Sequence, residues 1–160
     1  GYTRLTEEAG EEEALDVVER FVEAVEETLP DDARCPCGSG DVLGACCGPV
    51  LRRERRAPTA EALMRSRYTA FAVRDLEHLL RSWHPTTAPS REDLAASLAE
   101  EVRWLRLEIH STTAGGPFDD AGTVEFTAIS KGPGGRAVQH EISRFVREHG
   151  VWLYLDGRVD

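Results

Sequence analysis

The chain has 160 residues, 41% of them hydrophobic and 30% charged, with a net charge of −10. That length and balance read as a soluble globular protein with one ordinary core and room for a small module. No run approaches the roughly 20 apolar residues of a membrane span, and an acidic total speaks against a nucleic-acid binder.

The charge is unevenly spread. Residues 1–34 hold twelve acids against three arginines, so nearly all of the negative excess precedes a boundary near residue 34. Residues 1–12 show no apolar periodicity. From Glu13 to Leu29 the pattern turns helical, with Leu15, Val18, Val22, Val25 and Leu29 at 3-4-3-4 spacing, widened by Phe21 and backed by glutamates. Pro30-Asp31-Asp32 ends that helix. Such a helix is marginal alone, so it either docks on its own chain or serves as a partner or homodimer helix.

Next come all four cysteines within thirteen residues: Cys35-Pro36-Cys37, a Gly38-Ser39-Gly40 turn, then Cys46-Cys47. Two close thiol pairs across a short turn offer the four ligands of a tetrahedral Zn2+ ion, with Ser39 and nearby N–H groups able to donate to the sulfurs. A disulfide pair and a redox C-x-C pair are the competing readings, although vicinal Cys46 and Cys47 would make a strained disulfide. The stretch closely resembles the SEC-C motif, the zinc knuckle at the C-terminus of the SecA translocase. Four thiols without a secretory signal suggest a reducing cytoplasm.

Arg52, Arg53, Arg55 and Arg56 follow, as a solvated linker or a phosphate contact. Pro58-Thr59 opens a helix whose buried stripe is Leu63, Met64, Tyr68, Phe71 and Ala72, with Arg67 at its edge. Asp75 caps a second helix, ended by His84-Pro85, and Ser90-Arg91-Glu92-Asp93 opens a third. Beyond Val102 the period changes to two. Trp104–His110, Thr123–Ile129, Val138–Glu148 and Val151–Leu155 read as strands, separated by a loop at 115–120, a turn over Lys131–Gly135 and a tight turn at His149-Gly150. On the first strand the alternation sets Leu105, Leu107 and Ile109 opposite Trp104, Arg106 and Glu108. The expected class is α+β, three helices against an antiparallel sheet. The expected division is an acidic extension over 1–34, a knuckle over 35–50, a basic linker over 51–57 and the α+β domain over 58–160.

The stretch from Ala57 to Tyr68, Trp83-His84-Pro85, Val124-Glu125-Phe126, Glu141 to Phe145, and Trp152 to Gly157 together closely resemble the YchJ-like family of bacterial proteins. The resemblance covers about residues 35–158. It implies a nuclear transport factor 2-like (cystatin-like) cone of three helices against a curved sheet, preceded by the SEC-C knuckle, and it brings no reaction with it.

A cone of this kind often encloses a pocket at its open end. The candidates to line it are Arg67, Tyr68, Trp83, His84, Glu125, Glu141, Ser143, Phe145, Trp152, Tyr154 and Asp156. Period two places Glu141, Ser143 and Phe145 on one strand face, and Trp152, Tyr154 and Asp156 on the next. A buried Arg67 would need a carboxylate, with Glu141 and Asp156 the natural partners. His84 is either a general base or a structural residue at a helix end. If the aromatics face the cone, Leu105, Leu107, Ile109, Val151, Leu153 and Leu155 form an apolar outer face for the acidic helix, or for a second copy, to cover. No nucleophile elbow, phosphate loop or triad spacing is present, so no catalytic residue is assigned. The expectation is a non-enzymatic adaptor whose knuckle docks a protein or ribosomal surface. The alternative is a binder or enzyme that takes a small molecule in the cone.

Overall fold

The computed structural model describes residues 29–159. The acidic helix expected over 13–29 therefore lies, apart from Leu29, outside the described residues. Leu29 itself is half-buried and packs against the main core.

The knuckle begins as a miniature hairpin. Arg34 and Val42 form an antiparallel bridge, Cys35 N–H donates to Asp41 O at 2.9 Å, and Leu43 N–H donates to Ala33 O at 2.7 Å. A single 3-10 turn over Leu43–Ala45 and a one-turn helix α1 (Gly48–Leu51) complete it.

Three helices follow. In α2 (Ala60–Val73) the Thr59 side chain accepts from Ala62 N–H, as its sequence predicts. In α3 (Leu76–Arg81) the cap is Asp75, accepting from His78 N–H, and in α4 (Arg91–Leu98) it is Ser90, accepting from Asp93 N–H. Each cap satisfies a backbone donor that the first helical turn leaves unpaired. No helix among the described residues is long and apolar enough to cross a membrane.

The four strands β1 (Arg103–Ala114), β2 (Ala121–Gly132), β3 (Gly135–Glu148) and β4 (Val151–Val159) form one antiparallel sheet in the order β1-β2-β3-β4. All are longer than the alternation suggested. The turn expected over five residues shrinks to Pro133-Gly134, because Gly132 pairs with Gly135. The β3–β4 turn holds both central residues left-handed, His149 at φ 53 and Gly150 at φ 79, as a tight hairpin requires.

Three register shifts correct the expected strand faces. Trp104 pairs with Ser130 but Arg106 with Ile129, so Leu105 is an extra residue. His110 is extra in the same way, and on β4 Leu155 is extra, between Tyr154 paired with Phe145 and Asp156 paired with Arg144. A bulge reverses the facing of everything beyond it. Trp104, Leu107 and Ile109 consequently all turn toward the helices, where Leu107 is buried and the other two are half-buried, while Leu105 is 44% exposed. The apolar outer face expected from Leu105, Leu107 and Ile109 does not form.

The core runs without a break through knuckle and cone. Cys35, Cys37, Leu43, Cys47 and Val50 belong to the same buried cluster as Leu63, Tyr68, Phe126, Phe145 and Trp152. A smaller cluster of Ala70, Leu79, Leu94 and Leu98 fastens α3 and α4 onto α2.

Candidate metal centre and cone cavity

The four cysteines are free thiols whose sulfurs all lie within 4.8 Å of one another. Cys37 Sγ is 3.6 Å from Cys46 Sγ, which is 3.9 Å from Cys47 Sγ. A tetrahedral ion with sulfur ligands at about 2.3 Å sets its sulfurs about 3.8 Å apart, so the donor set fits such an ion. Gly38, left-handed at φ 81, lets the chain turn back on itself after Cys37.

Helix α2 supplies a shell behind these sulfurs that sequence reasoning missed. Arg65 Nη1 donates to Cys37 O at 2.9 Å and lies 3.8 Å from Cys37 Sγ, and Thr69 Oγ1 lies 3.7 Å from Cys35 Sγ. Arg65 and Thr69 are one helical turn apart and so share a face, which was the available signal. From within the knuckle, Ser39 Oγ reaches Cys46 Sγ at 3.1 Å, as expected.

The thiols do not ionise independently. Hydrogen bonds, first with Cys35 and then with Cys47, hold the Cys37 thiol far below its ordinary value. Burial pushes Cys46 up to about 11, and Cys47 is raised by its hydrogen bonds to Cys35 and Cys37. One thiolate thus forms at the expense of protonated neighbours. A divalent cation would remove that conflict by stabilising every thiolate together.

The second feature is a cavity of about 330 Å³ between α2 and the concave side of the sheet. Six of the predicted lining residues meet there: Arg67, Tyr68, Trp83, Glu141, Ser143 and Tyr154. Phe71, Trp104 and Gln139 join them. Phe71 was foreshadowed by its place on the α2 stripe, and Trp104 by the condition that the aromatics face the cone.

Arg67 is buried, with its guanidinium carbon 4.6 Å from the Trp83 ring centre and 4.5 Å from that of Tyr154. Its Nη1 donates to Leu79 O at 3.0 Å and to Ser82 Oγ at 2.8 Å. The direct ion pair expected with Glu141 or Asp156 is not formed. Asp156 sits beyond the Leu155 bulge and is held by Arg144 on the outer face, at 2.6 and 2.7 Å. Glu141 accepts instead from Ser143 at 2.6 Å, Gln139 at 2.8 Å and the Tyr154 hydroxyl at 3.2 Å. Tyr154 therefore stands between cation and carboxylate. Its hydroxyl is pushed up to about 12 by burial and by Glu141, and burial lowers Arg67 to about 10, still a cation at neutral pH. Gly157 lies against this carboxylate, so a Cβ there would force the Glu141 side chain to shift.

The other candidates sit elsewhere. Phe145 and Trp152 are core residues rather than lining; Phe145 packs edge-on against Tyr154, and Trp152 Nε1 donates to Pro58 O. Glu125 faces outward and bonds His140 at 2.8 Å and Ser111 at 3.2 Å. His84 lies beside the β3–β4 hairpin, bonded to Glu148 at 2.9 Å and to Thr86 at 2.7 Å, and does not reach the cavity.

Comparison with known proteins agrees with this architecture. Residues 59–157 match the family described as YchJ, middle NTF2-like domain, and residues 33–49 match the SEC-C motif. A UPF0225 protein of Corynebacterium glutamicum is 49% identical over 127 residues, covering 79% of this chain and 98% of the relative. One from Chromobacterium violaceum is 47% identical, covering 79% and 93%. Among solved structures, a SEC-C motif containing protein from Rhodopseudomonas palustris superposes with a TM-score of 0.71 at 34% identity, covering 79% of this chain and 98% of that one. Another, from Psychrobacter arcticus, gives 0.67 at 28% identity, covering 81% and 85%.

Proposed function

The chain belongs to the UPF0225 family, with a SEC-C motif ahead of a YchJ-type NTF2-like domain, and from that premise we propose that it is a small-molecule-binding protein whose knuckle is a zinc-held brace for the cone. The ligand expected in the cone is a compact organic anion with a flat apolar body. The observation that carries this reading is Arg67: a buried guanidinium held between two aromatic rings at a cavity wall, with no ion pair among the described residues. Burying a charge is costly unless it is paired, and a ligand carboxylate would supply the missing partner. Tyr68, Phe71 and Trp104 offer apolar and aromatic surface for the body, and the volume lies at the small end of ligand sites.

Zinc is favoured over other metals by an all-sulfur set of four with a closed geometry, the pattern of a structural site. Elemental analysis of protein purified under reducing conditions should give one zinc per chain, and iron in its place would overturn the assignment. For the cavity, a thermal-shift screen of small aromatic carboxylates against their amine analogues is the direct test. Carboxylates should stabilise the protein, and Ala128→Leu, which fills the cavity floor, should abolish the shift. Equal shifts from the amines would remove the reading.

A docking role for the knuckle, toward a protein or the ribosome, is the second reading. It is favoured by Val42, an apolar side chain 43% exposed near the knuckle tip. It is weakened by the burial of Cys35, Cys37 and Cys47 against the cone, which leaves little of the knuckle free. A pull-down in which Val42→Glu loses a partner retained by Ala128→Leu would favour docking over the cavity.

A further inference from the structure

The arginine run is solvent-exposed, as a linker would be, but it also borders a cleft. Arg53, Arg55 and Arg56 line a cleft of about 530 Å³ together with Arg81 from α3 and the buried Val50, Ala57 and Trp152. One acid, Glu54, touches the cleft, and it is held by Arg52 Nε at 2.9 Å. Among the described residues none of the four lining arginines makes an ion pair.

Two of them, Arg81 and Arg55, are hydrogen-bonded to neutral groups. Arg81 Nη2 donates to Leu51 O at 2.6 Å and to His78 Nδ1 at 3.2 Å. Because arginine has no acceptor, that contact fixes the tautomer: His78 Nε2 carries the proton and donates to Ser66 Oγ at 2.9 Å, which in turn donates to Leu63 O at 2.8 Å. Arg55 Nη2 donates to Cys46 O at 3.4 Å, and Arg56 lies against Gly150 of the β3–β4 turn. Burial holds the Arg81 guanidinium below its usual value, and the nearby Arg53 charge acts in the same direction.

Arg53 adds an independent observation. Helix α1 ends with Glu54 N–H donating to Pro49 O at 2.8 Å, and the residue before it, Arg53, is left-handed at φ 64. Helix ends of this geometry favour glycine there. An arginine at a position that prefers glycine puts a charged side chain at the cleft at the expense of backbone strain.

We infer that this cleft between the knuckle and the cone is a binding site for a small phosphorylated molecule. Several converging guanidinium groups suit a dianionic phosphate with its many acceptor oxygens better than a single carboxylate, and the volume admits a phosphate ester of nucleotide size. A nucleic-acid strand is disfavoured, because the chain carries a net charge of −10 and the arginines converge on a pocket rather than along a track. This site is separate from the cone cavity, with which it shares no lining residue.

The test is calorimetric titration of the zinc-loaded full chain with pyrophosphate and with a short single-stranded RNA, on the natural protein and on Arg53→Gly and Arg56→Gln. Pyrophosphate should bind saturably, and each substitution should weaken it about tenfold, the effect of losing one charge-assisted hydrogen bond. Arg53→Gly should leave the melting temperature of the free protein unchanged or higher, since it relieves the left-handed strain. That separates lost binding from lost folding. Absence of saturable pyrophosphate binding at millimolar concentration, or an affinity in both variants unchanged from that of the natural protein, would overturn the assignment. RNA binding with a steep salt dependence and no pyrophosphate binding would also overturn it, in favour of a nucleic-acid surface.

Discussion

The knuckle and the cone cavity both gather charge inside the protein, and they satisfy it in opposite ways. In the knuckle four donors from one thirteen-residue stretch converge until their sulfurs lie within 4.8 Å of one another, a spacing that one cation can satisfy completely. In the cavity Arg67 and Glu141 come from elements 74 residues apart, and each is hydrogen-bonded to neutral groups while Tyr154 stands between them. The first arrangement is closed and stabilising. The second leaves a cation facing space, which suits a site that must accept and release a ligand. Helix α2 serves both, with Arg65 and Thr69 toward the sulfurs and Arg67 toward the cavity.

The largest expected effect comes from breaking the closed region. Cys47→Ser should remove the metal and unfold cone and knuckle together, because both share one core. Structural zinc sites contribute about 10 kcal/mol or more, comparable with the whole stability of a domain. Loss of the cooperative thermal transition, with no zinc in the purified protein, is the readout; a cone that still melts cooperatively would mean the two regions are energetically separate.

Acid should distinguish the regions next. His78, buried beside Arg81 and Arg67, has its pKa lowered to about 3, by burial first and then by those two cations. The unfolded chain takes up this proton below about pH 6.5, whereas the native protein resists it until about pH 3, so the contribution is complete above 6.5 and declines through that window by up to about 1.4 kcal/mol per pH unit. Urea unfolding at about pH 7 and about pH 5 should show a smaller loss in His78→Gln than in the natural protein. Metal release on acidification acts on both proteins alike, so the difference between them isolates the cone.

A smaller effect is expected from Arg67→Met. Without a direct carboxylate partner, removal of this guanidinium leaves no orphaned buried anion, and the cost should be about 1–2 kcal/mol from the Leu79 and Ser82 hydrogen bonds. Binding of carboxylates in the cavity should vanish at the same time. A loss of 3–5 kcal/mol in chemical denaturation would instead reveal a tight coupling to Glu141. The smallest effect should follow Asp156→Asn, which breaks an exposed pair with Arg144 and should change stability by less than about 1 kcal/mol. Both Arg67→Met and Asp156→Asn should leave the zinc content unchanged.

The two regions were also unequally legible in the amino-acid sequence. The knuckle could be read because its ligands are local: C-x-C and C-C with glycines between them place four thiols together almost irrespective of what surrounds them. The helix caps Thr59, Asp75 and Ser90 were equally plain, since each acts on an N–H only two or three residues away. The cavity was readable up to the first bulge. Alternation placed Glu141, Ser143 and Tyr154 correctly and failed at Asp156, which one extra residue at Leu155 moved to the outer face. The same failure at Leu105 gave Leu107 and Ile109 to the side opposite Trp104, whereas all three turn toward the helices.

What the sequence by itself determined was therefore every feature set by near neighbours: the thiol cluster, the three capped helices, four antiparallel strands and their tight turns. Tertiary structure alone decided which carboxylate stands near Arg67, that α2 braces the sulfurs, and that Arg81 joins the arginine run at one cleft. The physical reason is range. Caps, turns and period-two facing are short-range effects, whereas a bulge forms through pairing across a sheet, and the partners of a buried charge are chosen by whichever distant strand the register finally brings to it.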